Sequence, residues 1–508
     1  MGATAGEAGE AGERDVVDVL DVLDVLIVGA GISGIGAAYY LQRDHPGRSY
    51  AILEARGASG GTWDLFRYPG IRSDSDLHTF GYEFKPWRSE VALADGMSIL
   101  SYLRETAAEH DIDRHIRYHA KAITADWSDA DARWTVTVEN TETGARHTVQ
   151  SRWLFCAAGY YRYDEGFTPH FAGRERFRGP VIHPQQWPAD LDYAGQRVVV
   201  IGSGATAVTL IPAMASTAGH ITMLQRTPSY VLPVPSRDKL NARLTRLLGF
   251  ERGYAVTRWL NISRQVLLWR FCRRWPQAAR KVIRDLNVKM LPADFPVDEH
   301  FNPPYDPWDQ RMCMVPDGDL FRAISGGKAS VVTGQIETFT EDGVLLADGR
   351  TLEADIIITA TGLNVQPLGG ITLTVDGAPV RAADRLVYKG MMLSGVPNFL
   401  FIFGYTNASW TLKVGLVCEN LTRLLRHMDA RGYGIARPVA ADNRMPSRPF
   451  TEFASGYIVR ALDELPRQGS RAPWRISRTY HDDVKLLRRT RVDDPELRFE
   501  PLREAVSL

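Results

Sequence analysis

The sequence predicts an α/β protein that is built from two parallel-sheet units and interrupted by a helical insertion. Two glycine-rich turns indicate the units, GAGISG at residues 29–34 and GSGATA at residues 202–207, because each follows an apolar run that is typical of a buried strand. A basic, aromatic-rich stretch over residues 236–300 then breaks the alternation of strands and helices. We therefore expect two Rossmann-like dinucleotide-binding domains, divided along the chain as a disordered N-terminal extension over 1–23, a first domain over 24–160 and 351–508, a second domain over 161–235 and 301–350, and the helical insertion over 236–300.

Composition describes a protein with an ordinary hydrophobic core. The 508 residues are 44% hydrophobic, which is enough for two or three domains. Sixty basic residues balance sixty acidic ones, so the chain lacks the basic excess of a nucleic-acid-binding protein. The sequence has no apolar run of about 18 residues and no signal-peptide layout at its N-terminus.

The cysteines point to a reducing environment. Cys156, Cys272, Cys313 and Cys418 are far apart and form no CxxC pair. This argues against a disulfide framework, a zinc site and a dithiol flavin reductase. We therefore expect a cytoplasmic protein without a metal site.

The first glycine turn has the parts of a dinucleotide site. Gly29 permits the tight turn, Gly31 lets the backbone approach a pyrophosphate, and Gly34 lets the next helix pack closely on the sheet. Glu54 ends the next strand, SYAILE, about 20 residues further on, where a carboxylate can accept both ribose hydroxyls. An acidic residue there repels a 2′-phosphate, so the first domain is expected to bind FAD.

Later segments complete the first domain. The alternation in ARWTVTVE, residues 132–139, predicts an antiparallel strand that covers the FAD unit. The segment VPNFLFIFGYTNASWTLK predicts a strand followed by a helix that begins near Ser409 or Trp410. We expect the N-terminus of that helix to face the flavin pyrimidine ring and to stabilise the anionic reduced flavin.

The second turn differs from the first. Gly202 and Gly204 are present, but Ala207 replaces the third glycine, which the nucleotide pattern tolerates. The next strand, HITMLQRTP, has no acidic residue at the position equivalent to Glu54 and carries Arg226 instead. An arginine can receive a 2′-phosphate bidentately, which favours NADPH over NADH. The alternative is an arginine that is simply solvated at the strand end.

The insertion is strongly basic. Over residues 243–285, eleven arginines and lysines accompany only two acids, Glu251 and Asp285. Interleaved tryptophans and leucines make the segment amphipathic. We interpret it first as a helical subdomain with a solvated basic face, and as the alternative consider weak peripheral contact with an anionic membrane.

Two longer motifs carry a family resemblance. GGTWDLFRYPGIRSD, residues 60–74, fits [A/G]GxWxxxx[F/Y]P[G/M]xxxD, and FRGPVIHPQQWP, residues 177–188, fits FxGxxxHxxxWP. Together they resemble the type I Baeyer-Villiger monooxygenases, a branch of the class B flavoprotein monooxygenases. Related N- and S-oxygenating enzymes usually have Tyr or Phe in place of Trp187. The segments GSGATAVTL, DPWDQR and GYTNASWTLK look most like the subgroup that includes the ethionamide-activating enzyme.

The resemblance implies a reaction. An NADPH-reduced FAD would react with O₂, and a peroxide on the flavin would convert a ketone to an ester or lactone, or oxidise a sulfide or thioamide at sulfur. In the family, an arginine holds the peroxide and the reacting carbonyl, and an aspartate orients that arginine. Here these are Arg311 and Asp74. Many members have Lys before this arginine, whereas this chain has Gln310. A flavin-containing N- or S-monooxygenase without ketone activity is the alternative.

Arg311 and Asp74 are thus the predicted catalytic residues. The predicted cofactor-binding residues are Gly29, Gly31, Ser33, Gly34, Glu54, Gly61, Thr62, Trp63, Asp74, Ala122, Ser409 and Trp410 for FAD, and Gly202, Ser203, Gly204, Thr206, Arg226, Thr227, Ala360 and Thr361 across the second turn and the later ATG turn.

Overall fold

The computed structural model describes residues 22–442 and 444–502. The helices are α1 Ile32–Asp44, α2 Thr62–Leu65, α3 Leu77–Phe80, α4 Gly96–Glu109, α5 Ala205–Met214, α6 Lys239–Leu248, α7 Phe250–Arg274, α8 Pro276–Met290, α9 Val297–His300, α10 Asp319–Ser325, α11 Trp410–Arg431, α12 Gly456–Ala461 and α13 Tyr480–Asp483. The strands are β1 Leu23–Val28, β2 Tyr50–Leu53, β3 Ile116–Arg117, β4 Ala120–Ser128, β5 Arg133–Asn140, β6 Arg146–Cys156, β7 Tyr161–Gly166, β8 Val181–Ile182, β9 Arg197–Ile201, β10 His220–Gln225, β11 Val231–Val234, β12 Cys313–Pro316, β13 Ala329–Thr333, β14 Ile336–Phe339, β15 Gly343–Leu346, β16 Thr351–Glu353, β17 Ile356–Thr359, β18 Leu363–Val365, β19 Thr372–Val375, β20 Ala378–Val380, β21 Val387–Tyr388, β22 Met392–Leu393, β23 Phe399–Phe401, β24 Tyr433–Pro438, β25 Ser447–Pro449, β26 Arg467–Gly469 and β27 Leu497–Pro501.

A nine-stranded mixed sheet forms the first domain. Strands β23, β6, β1, β2 and β3 run parallel. Strand β5 pairs antiparallel with the N-terminal half of the long strand β6. The predicted antiparallel strand is therefore present as β5. Helices α1 and α11 pack on each other over the buried core of the sheet. The predicted extension over 1–23 lies mostly outside the described residues, and β1 begins at Leu23, one residue before the predicted domain start.

A five-stranded parallel sheet forms the second domain, in the order β13, β10, β9, β17, β8. Strand β17 pairs with β9 from Ile356 opposite Val198 to Thr359 opposite Ile201. The predicted return to the first domain at residue 351 is therefore too early, since β17 still belongs to the second sheet. Its run of isoleucines suits any buried parallel strand, and only the pairing assigns it to a sheet.

The chain crosses between the domains twice, and the two passages lie side by side. Strand β7 leaves the first domain and pairs antiparallel with β18, which leads back to it. The carbonyl oxygen of Gly362 accepts a hydrogen bond from the Phe167 amide, 3.0 Å, next to this pair. The domains are therefore joined by a two-stranded ribbon.

The insertion is helical, as predicted. Helices α6 to α9 span residues 239–300, and α7 packs across α3 of the first domain. The predicted fold class, two Rossmann-like domains with a helical insertion, is confirmed. None of the described helices is long and apolar enough to cross a membrane.

Candidate active site

The first glycine turn leaves the N-terminus of α1 open. Gly29 has a φ of +103°, and a Cβ on Gly34 would lie 1.9 Å from the Gly29 carbonyl oxygen, so both positions require glycine. The N-cap residue Gly31 makes no side-chain cap, and the first turn of α1 contains no acid. A Cβ on Gly31 would point at Gly61, 3.6 Å from its Cα atom. The two glycine backbones thus form a narrow cradle at a helix N-terminus, which suits a pyrophosphate.

Glu54 lies at the end of β2, as predicted, and it is buried. Its Oε2 accepts the Ala30 amide at 2.9 Å, and its Oε1 accepts the Arg56 amide at 3.0 Å. Burial raises the pKa of this carboxyl, and the two amide bonds lower it. Each oxygen keeps a second lone pair, so the carboxylate can still accept a ribose hydroxyl.

Residues 60–74 connect the two nucleotide turns. Gly60 and Gly61 both have positive φ beside the first turn, and the Gly60 amide donates to Ala30 at 3.0 Å. The chain then reaches the second domain, where a Cβ on Gly70 would lie 2.7 Å from the Thr209 carbonyl oxygen of α5. The aromatic Tyr68 belongs to the core of that domain. The motif therefore fixes the second domain against the first.

Asp64, inside this motif, was not singled out from the sequence. Its buried carboxylate accepts hydrogen bonds from Arg56, Arg67 and Arg104 at 2.6–2.8 Å. Arg67 lies three positions after Asp64 in the same motif, but Arg104 comes from α4, so local spacing could not indicate the whole cluster. Thr62 in the same turn lies 3.3 Å from the Tyr163 hydroxyl, and Trp63 packs on the core of the first domain.

Asp74 and Arg311 form a bidentate ion pair. Arg311 Nε lies 2.7 Å from Asp74 Oδ2, and Nη2 donates to Oδ1 at 3.1 Å. Each side chain is about one-third exposed, at 33% and 29%. The Asp74 carboxylate raises the pKa of Arg311, and burial acts in the opposite direction. The two residues are 237 positions apart, and the structure brings them together as predicted.

An aromatic wall stands beside this pair, and sequence reasoning missed it. Tyr160 stacks on Trp410 with ring centroids 5.4 Å apart, and its hydroxyl lies 2.9 Å from that of Tyr161. Tyr160 also stacks on Tyr457, at 6.5 Å. Burial raises the pKa of Tyr160 well above its ordinary value, and Arg311 acts in the opposite direction. The wall therefore holds neutral hydroxyls near a fixed cation.

The N-terminus of α11 is positioned by the first turn. Trp410 Nε1 donates to Ser33 Oγ at 2.8 Å, and Ser409 Oγ lies 2.6 Å from Thr79 Oγ1. Ser409 is the N-cap residue but makes no side-chain cap, so the first amides of α11 are left for another acceptor. The predicted helix start is confirmed, and Ser33 has the additional role of holding Trp410.

A cavity of about 130 Å³ lies next to the wall. Phe403 belongs to both, since it lines the cavity and contacts Tyr160 at a centroid distance of 4.7 Å. The insertion contributes Trp269 and Arg273 to the lining. Helix α7 therefore borders this cavity.

The second turn leaves the N-terminus of α5 open as well. Gly202 has a φ of +131°, and a Cβ there would lie 2.3 Å from the Ala360 carbonyl oxygen, whereas a Cβ on Gly204 would meet no atom within 4 Å. Ser203 Oγ donates to the Thr227 carbonyl at 3.2 Å. Thr206 lies beside the hydroxyl of Tyr68, whose pKa burial raises to about 12. Of the two glycines in this turn, Gly204 is therefore the one that faces open space.

Arg226 follows the carboxyl end of β10 and is exposed. Within residues 22–442 and 444–502 its guanidinium makes no ion pair or hydrogen bond, so it is available to a ligand. Gln310 is partly buried next to Arg311.

The remaining predicted residues lie in structural positions. Thr361 Oγ1 donates to the Phe167 carbonyl at 2.6 Å, and the Ala360 carbonyl contacts Gly202, so both fix the ribbon to the second turn. Ala122 is buried in β4 near the end of β2. It packs in the sheet core, and its side chain alone indicates no ligand.

His183, the centre of the second motif, joins the two passages of the ribbon. Its Nδ1 accepts the Gln185 amide at 3.1 Å, so Nε2 carries the proton and donates to the Gly362 carbonyl at 3.0 Å. Burial lowers the pKa of His183. A Cβ on Gly166 would lie 1.9 Å from the imidazole ring, which makes a glycine necessary there.

Comparison with known proteins agrees with this arrangement. Residues 92–367 match the flavin-binding monooxygenase-like family, and residues 27–89 match an NAD(P)-binding Rossmann-like domain. The chain therefore belongs to the flavin-binding monooxygenase-like family and is a flavin-dependent monooxygenase, an oxidoreductase. It is 54% identical to the FAD-containing monooxygenase EthA of Mycobacterium tuberculosis over 93% of this chain and 96% of that one.

Two solved structures share the fold. A steroid monooxygenase bound to NADP superposes with a TM-score of 0.69 at 25% identity, covering 82% of this chain and 88% of that one. A cyclohexanone monooxygenase from Rhodococcus sp. Phi1 gives a TM-score of 0.73 at 19% identity, covering 94% and 99%.

Proposed function

We propose that this protein is an FAD- and NADPH-dependent Baeyer-Villiger monooxygenase. It would convert a ketone, O₂, NADPH and a proton to an ester or lactone, NADP⁺ and water, and would also oxidise sulfides or thioamides at sulfur. The bidentate pair of Arg311 and Asp74, beside the aromatic wall, is the observation that carries the proposal. A family that oxygenates only nucleophilic nitrogen or sulfur has no need for a cation held to stabilise an oxyanion.

The cofactor assignments follow the two turns. The cradle of Gly31 and Gly61, the carboxylate of Glu54 and the open N-terminus of α11 suit FAD in the first domain. The open approach at Gly204 and the exposed Arg226 suit NADPH in the second domain. FAD, when bound, supplies the redox chemistry, which takes a hydride from NADPH and transfers one oxygen atom from O₂.

The residues of this chain supply charge, orientation and exclusion of water. Asp74 holds the Arg311 guanidinium in one orientation through two contacts. A cation fixed in this way stabilises the negative oxygen that develops when a carbonyl is attacked, and a fixed donor contributes more than a mobile one. The aromatic rings of Tyr160, Tyr161 and Tyr457 stand on one side of the pair, and burial raises the pKa values of Tyr160 and Tyr161, so these two offer neutral hydroxyls.

Substrate oxidation by the purified protein with FAD bound tests the proposal. We expect NADPH consumption to rise with linear ketones, cyclic ketones or aryl methyl sulfides, and mass spectrometry to find one oxygen atom from ¹⁸O₂ in an ester or lactone. Oxygenated sulfide without any ester or lactone across the panel would favour the N- or S-monooxygenase alternative.

The Arg311→Ala variant tests the residue that carries the proposal. We expect ester formation to fall by about 10²- to 10³-fold, because one fixed donor to the oxyanion is lost. Flavin reduction should persist, with the consumed NADPH recovered as hydrogen peroxide. Arg284→Ala, which removes another bidentate pair with Asp298 on the insertion, is the matched control and should leave ester formation unchanged. Ester formation by Arg311→Ala at the parent rate would remove the basis of the proposal.

A further inference from the structure

The first turn of α11 has a residue suited to cap it, yet it is uncapped. Ser409 has a φ of −62° and a ψ of 138°, the extended conformation of an N-cap residue, and serine is among the best capping residues. Its side chain nevertheless accepts no hydrogen bond from α11, and the Thr411 amide meets no backbone acceptor within residues 22–442 and 444–502. Both residues are buried. A buried helix end that lacks acceptors in this way indicates that a ligand supplies one.

The Ser409 hydroxyl is held instead by Thr79, a fully buried residue of α3. The two hydroxyl oxygens lie 2.6 Å apart. The Thr79 hydroxyl donates to Asp76, whose carboxylate Oδ2 lies at 2.7 Å and whose carbonyl oxygen lies at 3.1 Å. A hydroxyl has one proton to donate, so within the pair Ser409 is the donor and Thr79 is the acceptor. The Ser409 side chain is therefore bound to α3 and not to its own helix.

Two side chains of α7 fix the carboxylate that takes the Thr79 proton. Gln265 Nε2 donates to Asp76 Oδ2 at 2.8 Å and to Thr79 Oγ1 at 3.2 Å. Asn261 Nδ2 donates to Asp76 Oδ1 at 3.1 Å. An ionised carboxylate only accepts hydrogen bonds, so Asp76 sets the direction of the bond between Thr79 and Ser409. The insertion therefore contributes to the state of the first turn of α11.

Other bonds hold the start of α11 in place. Thr411 Oγ1 donates to the Phe80 carbonyl at 2.6 Å, and Trp410 Nε1 donates to Ser33 Oγ of the first glycine turn at 2.8 Å. Neither bond involves the paired hydroxyls. Loss of the Thr79 hydroxyl should therefore leave the helix where it is and release only the serine side chain that it holds.

We propose that Thr79 is a positioning residue for the flavin: it keeps the Ser409 hydroxyl on α3 and so leaves the Thr411 amide for the flavin ring. The proposal rests on the FAD assignment in the proposed function. Reduction by two electrons and one proton gives the ring a negative charge, which the N-terminus of a helix stabilises. A serine cap would compete with the ring for the same amide. Thr79 therefore raises the reduction potential of bound FAD.

The reduction potential of the Thr79→Val variant tests this role. The FAD-bound protein is reduced photochemically beside a reference dye, without NADPH or substrate. Valine has nearly the shape of threonine but no acceptor, so the Ser409 hydroxyl becomes free to cap the amide of Thr411 or Leu412. We expect the affinity for reduced relative to oxidised FAD to fall about tenfold, which lowers the potential by about 30 mV. The parent potential in Thr79→Val would overturn the proposal.

A second background separates capping from a general loss of packing. Alanine cannot cap, so Thr79→Val should leave the potential unchanged when it is made in the Ser409→Ala protein. Thr79→Ser keeps the acceptor and should keep the parent potential. Thr106→Val is the matched control, because Thr106 is also fully buried and its hydroxyl donates to the Tyr102 carbonyl at 2.6 Å within α4. Equal shifts of the potential in both backgrounds, or a similar shift in the control, would overturn the proposal.

A crystal structure of the Thr79→Val variant tests the capping directly. Ser409 Oγ should lie within about 3.2 Å of the amide nitrogen of Thr411 or Leu412. A lowered potential with Ser409 unmoved would overturn the proposal. Failure of the proposed function is a separate result: the expected shifts in a protein that forms no ester or lactone would support the role of Thr79 and contradict only the Baeyer-Villiger activity. A parent protein that takes up no FAD would overturn both.

Discussion

At the scale of single residues, we expect the choice between NADPH and NADH to depend on Arg226. Its guanidinium is exposed at the end of β10 and has no partner among the described residues, so a 2′-phosphate would gain a charged contact there. A hydrogen bond to a charged group contributes roughly 1.5 to 3 kcal/mol. We expect Arg226→Ala to raise the KM for NADPH by about ten- to a hundredfold and to leave that for NADH nearly unchanged. Steady-state kinetics with both coenzymes measure this.

Gln310 provides the complementary variant. A lysine at this position would add a second cation, so we expect Gln310→Lys to lower the KM for NADPH and to partly restore the Arg226→Ala variant. Arg322→Ala, another exposed arginine of the second domain, serves as the control. If Arg226→Ala impairs both coenzymes equally, the arginine is structural.

The sequence predicted single residues well where one short segment defines their role. A Cβ would clash, or φ is positive, at Gly29, Gly34 and Gly202. A glycine-rich turn motif shows this requirement directly in the sequence. The aromatic wall was missed because Tyr160, Trp410 and Tyr457 come from three segments and are joined only by folding. The pair of Asp74 and Arg311 was found through the family resemblance, since no spacing connects residues 237 positions apart.

At the scale of elements, we expect the two glycines of the turn before α5 to have different roles, one in coenzyme binding and the other in the stability of the fold. A Cβ on Gly204 meets no atom within 4 Å at a φ of −79°, whereas one on Gly202 would clash with Ala360 at a φ of +131°. We expect Gly204→Ala to keep the parent melting temperature but to raise the KM for NADPH about tenfold, because the pyrophosphate must approach this backbone. Gly202→Ala should instead destabilise the fold by about 1 to 3 kcal/mol. Thermal unfolding and kinetics of both variants check this, and a destabilised Gly204→Ala with unaltered KM would contradict it.

The ribbon of β7 and β18 should make stability depend on pH. Burial lowers the pKa of His183 from 6.5, so the folded state keeps the imidazole neutral while the unfolded chain protonates it. The contribution of the neutral His183 imidazole to the free energy of unfolding is therefore complete above pH 6.5, and it is lost as the pH falls below that value. His183→Gln keeps a donor for the Gly362 carbonyl but cannot titrate.

Melting temperatures measured across pH 6.5 should therefore fall less steeply on acidification for His183→Gln than for the parent. His115 and His300, whose pKa values burial also lowers, are present in both proteins and cancel in the difference. Parallel pH profiles would show that the imidazole is protonated in the folded protein as well.

Periodicity predicted the elements but not the sheet that each one joins. The predicted start of α11 and the predicted strand β5 are confirmed, because a helix start and an alternating strand are local patterns. The boundary at residue 351 was too early, because the apolar strand β17 could pair in either sheet. The pairing of β17 with β9 joins residues that are far apart in the sequence, and the local sequence of β17 does not determine it.

At the scale of the whole molecule, residues 60–74 and the ribbon hold the two domains in one arrangement. Arg72 forms a largely buried ion pair with Asp319 at the start of α10, and it donates to the Val208 carbonyl of α5. The segment that begins at the cradle of Gly31 and Gly61 therefore ends on two helices of the second domain. Because Asp74 lies two residues beyond Arg72, we expect the position of the Asp74–Arg311 pair to depend on this contact.

Loss of this contact should uncouple the domains. NADP⁺ stabilises only the folded second domain, so in the parent protein it should raise the temperature at which flavin fluorescence appears, through the contacts between the domains. We expect Arg72→Ala to reduce that shift by more than half, to cost about 1 to 3 kcal/mol of stability and to increase hydrogen peroxide release. Arg178→Ala, which breaks the exposed pair with Glu341 within the second domain, should change none of the three, because exposed pairs contribute little. A full NADP⁺-dependent shift in Arg72→Ala would mean that the ribbon alone couples the domains.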